Sequence, residues 1–131
     1  MKTTLYLAAL ALTIVIVTAV GCQSANDELE IEIRPAPIHE VQVNIAESFP
    51  PQVFVYIKGK LADGCTTFHE LTVERSNNTI NIRVTTQRPK GIVCAQVHSF
   101  FEKNIGLGSD FTSGETYIVN VNGKTTSFVM Q

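Results

Sequence analysis

The 131-residue sequence predicts an all-β domain, either an antiparallel sandwich or a small barrel, behind an apolar leader. Seven or eight short runs of β-branched and aromatic residues are separated by Gly, Pro and Asn turns at regular spacing. After residue 22, no apolar stripe of useful length follows the 3.6-residue period of a helix. Residues 22–131 carry a formal charge of −3, which gives them no electrostatic reason to bind nucleic acid or anionic lipid.

The first three predicted strands differ in their apolar pattern. Residues 28–33 alternate glutamate with aliphatic side chains, which is typical of a strand with one buried and one solvated face. Prolines at 35 and 37 break this strand, and residues 39–46 resume the alternation. Residues 53–57 form a continuous apolar run, which predicts a central strand covered on both faces.

The next two strands are predicted to form a hairpin. Residues 61–64 turn the chain, and residues 66–75 alternate with one slip in register. Asn77 and Asn78 follow at a tight turn, because asparagine tolerates the left-handed backbone that two-residue hairpin loops require. The return strand, which begins near Ile80, leads into a basic loop at residues 87–91.

The last third of the chain predicts one more strand and a second hairpin. An apolar strand is expected at residues 92–101, and the glycine-rich residues 102–111 are expected to be an irregular connection between two sheets. Residues 116–120 and 125–130 flank Asn122-Gly123, the strongest short hairpin signal in the sequence.

The N-terminal segment has the parts of a secretory signal. Lys2 is followed by an uncharged apolar run at residues 5–20 and by Ala19-Val20-Gly21-Cys22. These four residues resemble the lipobox of bacterial lipoproteins. The resemblance implies removal of residues 1–21, lipidation of Cys22 and an envelope location, at the outer membrane or the outer face of the cytoplasmic membrane. Residues 22–27 would then be the lipidated cysteine and tether, and residues 28–131 the domain.

Two alternatives to lipidation remain open for this segment. The apolar run of sixteen residues is shorter than the roughly 20 that span a bilayer, although an uncleaved helical anchor is one possibility. Cys22 would otherwise be an ordinary thiol, and cleavage nearby would release a soluble protein.

A second resemblance concerns the C-terminal quarter of the chain. Residues 114–123 resemble the penultimate strand and final hairpin of immunoglobulin-like or fibronectin-like modules of bacterial envelope proteins. The resemblance implies an immunoglobulin-like sandwich of about seven strands, in which the hydroxyl of Tyr117 returns to the backbone at a sheet corner. The chain is also similar to small envelope lipoproteins of unassigned function that carry one such domain.

The remaining cysteines are expected to pair. With Cys22 acylated as the resemblance implies, an exported compartment favours a disulfide between Cys65 and Cys94, and the hairpin between them carries both to the same end. The alternative is a reduced zinc site with His69 and His98. Residues four apart on a strand are separated by roughly 13 Å, too far for two ligands of one ion, so no metal or cofactor is predicted.

The sequence predicts a binding function rather than catalysis. Residues 69–73 begin like a His-Glu-x-x-His metalloprotease motif but have valine at the second ligand position, and no other hydrolase motif is present. We expect an envelope protein as partner, reached through loops or a strand edge, with contact at residues 102–111 beside Phe100 or Phe101; core filling is the alternative role for these two aromatics.

Two other functional classes stay open at this point. An inhibitor of an envelope or host hydrolase would present residues 87–91 to an active site, and a metal-binding lipoprotein would use Cys65, His69, Cys94 and His98. Four basic residues form a candidate patch for an acidic partner, with a solvated surface as the alternative: Arg75, Arg83, Arg88 and Lys90.

Overall fold

The computed structural model describes residues 28–131, which form a two-sheet β-sandwich and confirm the predicted fold class. The strands are β1 (Ile31–Pro35), β2 (Ile38–Ala46), β3 (Gln52–Leu61), β4 (Thr67–Ser76), β5 (Thr79–Pro89), β6 (Ser99–Gly108), β7 (Thr116–Val121) and β8 (Lys124–Val129). Within residues 28–131, no helix has the length and hydrophobicity needed to cross a membrane. The predicted signal peptide, Cys22 and the tether to residue 27 lie outside the described residues.

The larger sheet is organised around β5. β4 pairs with one edge of β5, while β1 and β7 share the other edge and β8 pairs with β7. β1 pairs antiparallel with the C-terminal part of β5, but β7 runs parallel to its N-terminal part. The prediction of a wholly antiparallel sandwich is therefore wrong for this pair. β7 runs parallel because the chain returns from β6, in the other sheet, at the end where β5 begins.

The core lies between this sheet and the three-stranded sheet β2-β3-β6. Alternate residues of the central strands point inward and are fully buried, among them Val53, Val55 and Ile57 of β3 and Ile80 and Val84 of β5. Phe54 and Tyr56 on the other face of β3 are half-buried. The prediction that β3 is covered on both faces is thus wrong, because only one sheet packs against it.

The strand predicted at residues 92–101 lies further along the chain. Residues 92–98 have no regular structure, whereas β6 includes most of the predicted glycine-rich connection. Gly106 lies opposite Phe54 in this strand, and a Cβ there would be in ordinary van der Waals contact with the Phe54 ring at 3.5 Å. Gly108 has a positive φ of 83° at a bulge, so glycine here serves the strand rather than interrupting it.

The alternation in β1 has the opposite orientation from the predicted one. Ile31 and Ile33 are 47% and 53% exposed, and Leu29 just before the strand is 55% exposed. Ile31 and Ile33 lie opposite Pro89 and Gln87 of β5, on the outer face of the sheet. The prediction that these aliphatic side chains are buried is wrong, because register with β5 turns them away from the core.

The sandwich has two distinct ends. The disulfide end comprises the start of β1, the turn at residues 62–66 and the segment at residues 90–98. The far end comprises the loop at residues 47–51 and the β4–β5 turn at Asn77 and Asn78. Strand β3, ten residues long, runs from the far end to the disulfide end.

Candidate functional site at the disulfide end

The turn at residues 62–66 is built by the side chain of Asp63. Its Oδ1 accepts hydrogen bonds from the backbone N–H groups of Cys65 at 3.0 Å and Thr66 at 2.9 Å, and from the Thr66 hydroxyl at 2.8 Å. Asp and Asn commonly bond to the backbone two or three residues ahead in such turns. Asp63 and Thr66 are both buried, so the turn is a fixed part of the sandwich.

Arg88 of β5 holds the second carboxylate oxygen of Asp63. The Arg88 Nε donates to Asp63 Oδ2 at 2.7 Å. The Thr66 hydroxyl bond and then Arg88 lower the pKa of Asp63 from 3.8 to about 2. Asp63 is therefore ionised at neutral pH and fully engaged, which suits a structural ion pair and does not suit a general base.

The predicted disulfide between Cys65 and Cys94 is present at this end. The two sulfurs are bonded, and the Cα atoms are 5.6 Å apart. Arg88 Nη2 lies 3.3 Å from the Cys94 Sγ, and the Gly64 N–H donates to the Ala95 carbonyl at 2.9 Å. The β3–β4 turn and the irregular segment before β6 are thus joined covalently and by hydrogen bonds.

A cleft of about 360 Å³ opens beside this network. Its charged walls include two ion pairs, Asp63 with Arg88 and Glu32 with Arg34, whose nitrogen and oxygen atoms are 2.7 Å apart in both cases. Lys60 adds a further positive charge. The remaining lining residues are Pro35, Pro37, Ala62, Thr66, Thr86 and Gln87. The cleft has the size of a small-ligand pocket.

The four residues of the metal alternative do not converge. Among residues 28–131, the group with metal-ligand spacing is Asp63, Cys65 and Cys94, within 4.8 Å of one another, and both histidines lie outside it. The sulfurs of a disulfide are not thiolates and cannot serve as zinc ligands. His69 occupies the predicted register slip in β4, and its Nδ1 lies 3.0 Å from Gln87 Oε1.

The four basic residues are dispersed rather than clustered. Arg75 packs 4.3 Å from the centre of the Phe111 ring and donates to the Asp110 carbonyl. Arg83 is exposed on the outer face of the large sheet, Arg88 bonds Asp63, and Lys90 pairs with Glu30. The structure therefore contains no continuous basic patch within the described residues.

The two aromatic residues of the predicted contact region, Phe100 and Phe101, face opposite sides of the small sheet. Phe101 is buried, with its ring over Gly59, whereas Phe100 is 46% exposed on the outer face of the small sheet. The Phe100 ring lies 5.2 Å from that of His39 and 4.8 Å from the Lys58 ammonium. Residues 102–108 belong to β6, which pairs only with β3 in the described chain and so is an edge strand.

The loop predicted for the inhibitor alternative lies at a different place in the chain. Gln87 to Pro89 belong to β5 and pair with β1, so the predicted basic loop at residues 87–91 is wrong for its first three residues. The exposed irregular segment lies at residues 92–98 instead, where Val93 is fully exposed beside Cys94.

Tyr117 has the predicted role. Its side chain is 2% exposed, and its hydroxyl accepts a hydrogen bond from the backbone N–H of Thr112 at 2.9 Å. This bond fixes the connection from β6 into β7. The network around Asp63 was not predicted, although an aspartate three residues before a threonine in a turn is a recognisable signal for it.

Comparison with known proteins shows the family to which this domain belongs. The model of the ORF11 beta-sandwich domain matches residues 55–130, which is more than half of the chain. The chain belongs to this family. No solved structure matches this ORF11 beta-sandwich protein.

Two relatives from Herpetosiphon aurantiacus are similar to this ORF11 beta-sandwich protein. An uncharacterized 10.2 kDa protein in the HgiCIIM 5′ region is 46% identical over 84 residues, which is 63% of this chain and 89% of the relative. An uncharacterized 10.2 kDa protein in the HgiBIM 5′ region is 49% identical over 74 residues, which is 56% of this chain and 90% of the relative.

Proposed function

We propose that this ORF11 beta-sandwich protein is a lipid-anchored, non-catalytic binding module of the cell envelope. The observation that carries the proposal is the disulfide between Cys65 and Cys94. Disulfides persist in oxidising compartments, which a protein reaches after export. Of the three cysteines in the sequence, this leaves Cys22, which follows an apolar run and three small residues in the pattern of a lipoprotein cleavage site.

The anchor in this proposal is diacylglycerol on Cys22, at the outer membrane or the outer face of the cytoplasmic membrane. Two acyl chains give stable membrane attachment, whereas one chain gives only marginal binding. The domain that follows has no need of a membrane-crossing segment of its own. Its contribution is a rigid sandwich, fixed at one end by the disulfide and the Asp63 network.

The partner in this proposal is another envelope protein that binds at the free edge of β6. The described chain leaves one side of this ten-residue strand without a neighbour, so its backbone groups can pair with an added strand. Phe100 presents an exposed aromatic ring at the start of the strand, and aromatic residues are enriched at interface cores. Residue 100 therefore remains the position where we expect contact.

The anchor is tested by metabolic labelling with palmitate and by membrane fractionation. Wild type should incorporate label and sediment with membranes, and Cys22→Ser should lose the label and be released or retained as unprocessed precursor. Ser24→Ala, two residues away, is the matched control and should behave as wild type. Labelling of Cys22→Ser, or an intact mass of wild type without acyl chains, would refute the anchor.

The partner surface is tested by site-specific photocrosslinking in cells. A photoreactive amino acid at position 100 should give a discrete adduct with one envelope protein, and the adduct should disappear when Glu102 on the same strand is changed to Pro. The same probe at Arg83, exposed on the outer face of the other sheet, is the control and should give no such adduct. Equal crosslinking from positions 83 and 100 would contradict a specific surface on β6.

A further inference from the structure

We propose that the disulfide end of the sandwich rests on the lipid bilayer, with Leu29, Ile31 and Val93 as the side chains that enter its interface. This inference rests on the proposed anchoring through Cys22 and adds the orientation of the domain on the membrane. It assigns a lipid-contacting surface to residues that the fold leaves in solvent.

Four exposed aliphatic side chains lie at the disulfide end of the sandwich. Val93 is 102% exposed, Val97 is 56% exposed, and Leu29 and Ile31 are 55% and 47% exposed. Large exposed apolar patches mark surfaces that bind protein or membrane. None of these four side chains belongs to the core cluster of the sandwich.

The start of β1 is held beside the end of β5 and Lys90, two residues before the irregular segment. Ile31 lies opposite Pro89, and the Lys90 N–H donates to the Glu30 carbonyl at 2.8 Å. The Lys90 ammonium also pairs with the Glu30 carboxylate, which raises the pKa of Lys90 and offsets the two charges. This charged pair at the disulfide end is thus neutral overall, so it does not oppose contact with an uncharged lipid surface.

The tether brings this end of the domain to the membrane. Five residues lie between Cys22 and Glu28, the first described residue, and a fully extended chain from one to the other spans about 20 Å at most. The described chain enters the sandwich through residues 28–31, at the disulfide end. A lipidated Cys22 therefore keeps the start of β1, and with it the disulfide end that includes Val93, close to the bilayer surface, whereas other partners have no such constraint.

The far end of the sandwich supplies an internal control. Phe49 is 103% exposed in the loop between β2 and β3. It is separated from the disulfide end by the ten residues of β3, a distance of about 30 Å at the usual rise per residue. Phe49 is as exposed and as apolar as Val93, but a domain standing on its disulfide end holds it away from lipid.

The test uses tryptophan fluorescence, which is free of background because the sequence contains no tryptophan. Full-length acylated protein carrying Val93→Trp or Phe49→Trp is reconstituted into phosphatidylcholine vesicles with brominated acyl chains. Interfacial side chains lie about 5–10 Å into the boundary between headgroups and chains, so we expect Val93→Trp to be quenched at least about threefold more than Phe49→Trp. Leu29→Trp should behave like Val93→Trp, which guards against a local effect of either substitution.

The outcomes separate this inference from the function on which it rests. Acyl chains on Cys22 by intact mass, together with equal or absent quenching at positions 93 and 49, would overturn the orientation and leave the anchor intact. Absence of acyl chains would overturn both. Inhibition of a protease with small aliphatic specificity by the acylated protein, abolished by Val93→Asp, would assign the segment to a protein partner and would also overturn the membrane contact.

Discussion

The side chain of Asn122 is expected to hold the larger sheet together where β1 and β7 meet along β5. Its Nδ2 donates to the Val84 and Ala36 carbonyls at 2.7 and 2.9 Å, and its Oδ1 accepts from the Val84 N–H at 3.0 Å. Val84 and Ala36 are both buried, so these backbone groups have little access to water. The amide of Asn122 thus takes the place of a strand residue between β7 and β1.

The expected loss of stability on removing the Asn122 side chain follows from these three hydrogen bonds. At a net value of about 1 kcal/mol each, Asn122→Gly should lower the free energy of unfolding by about 3 kcal/mol. Glycine adopts the φ of 48° at this position without strain, so the loss in excess of a glycine substitution at a similar turn reports on the side chain. For a domain of this size, the melting temperature should fall by roughly 15 °C.

Asn77→Gly is the matched control for this experiment. Asn77 has a φ of 52° in the other two-residue hairpin turn, and its side chain is exposed. Urea denaturation of residues 22–131 carrying Cys22→Ser should show a change within about 0.5 kcal/mol for Asn77→Gly. Equal midpoints for the two glycine variants would refute the argument that the Asn122 amide joins β1 and β7.

Three further outcomes concern the disulfide end and the corner at Tyr117. Changing Cys65 and Cys94 to Ser opens a loop with a sequence separation of 29 and should lower the unfolding free energy by about 3–4 kcal/mol. Wild-type protein in reductant should lose the same amount of stability. An unchanged denaturation midpoint of the Ser variant would contradict this. The pKa of Asp63 is lowered to about 2 in the folded protein, so its stabilising contribution is complete above the ordinary value of 3.8 and is lost as the pH falls towards 2. Wild-type denaturation midpoints should therefore fall over that range more than those of Asp63→Asn, and parallel pH profiles would exclude the Asp63 network as the cause. Tyr117→Phe leaves the Thr112 N–H without its acceptor and should cost about 1 kcal/mol in thermal unfolding, and no loss would exclude a role for the hydroxyl.

Local signals in the sequence were sufficient where the structure depends on a few adjacent residues. The hairpin turns at Asn77 and Asn122 occur where predicted, because left-handed backbone favours asparagine within a two-residue loop. The pairing of Cys65 with Cys94 followed from compartment and from the hairpin between them. Tyr117 was assigned through a resemblance, and its hydroxyl makes the implied backbone bond.

Features that depend on a partner in another strand were not predictable in the same way. Gly59 lies under the Phe101 ring, so close that an added Cβ would overlap Phe101 Cζ, and Gly106 lies beside Phe54. In the sequence alone, glycines at such positions look like loop residues, because the ring that covers them is remote along the chain. For this reason the sequence predicts β6 too early along the chain and assigns residues 102–108 to a connection.

The exposed aliphatic residues of β1 show the limit of period-two reasoning. Alternation separates Ile31 and Ile33 from Glu32, but it does not determine which of the two sets faces the core. Pairing with β5 determines it. The inward-facing residues of β5 opposite β1 are Thr86 and Arg88, so their partners Arg34 and Glu32 also face inward. An inward-facing Glu32 can then border the charged cleft, while the isoleucines remain on the outer face of the sheet. The acidic face of β1 thus borders a polar cleft, whereas its aliphatic face, in our proposal, contacts the lipid interface.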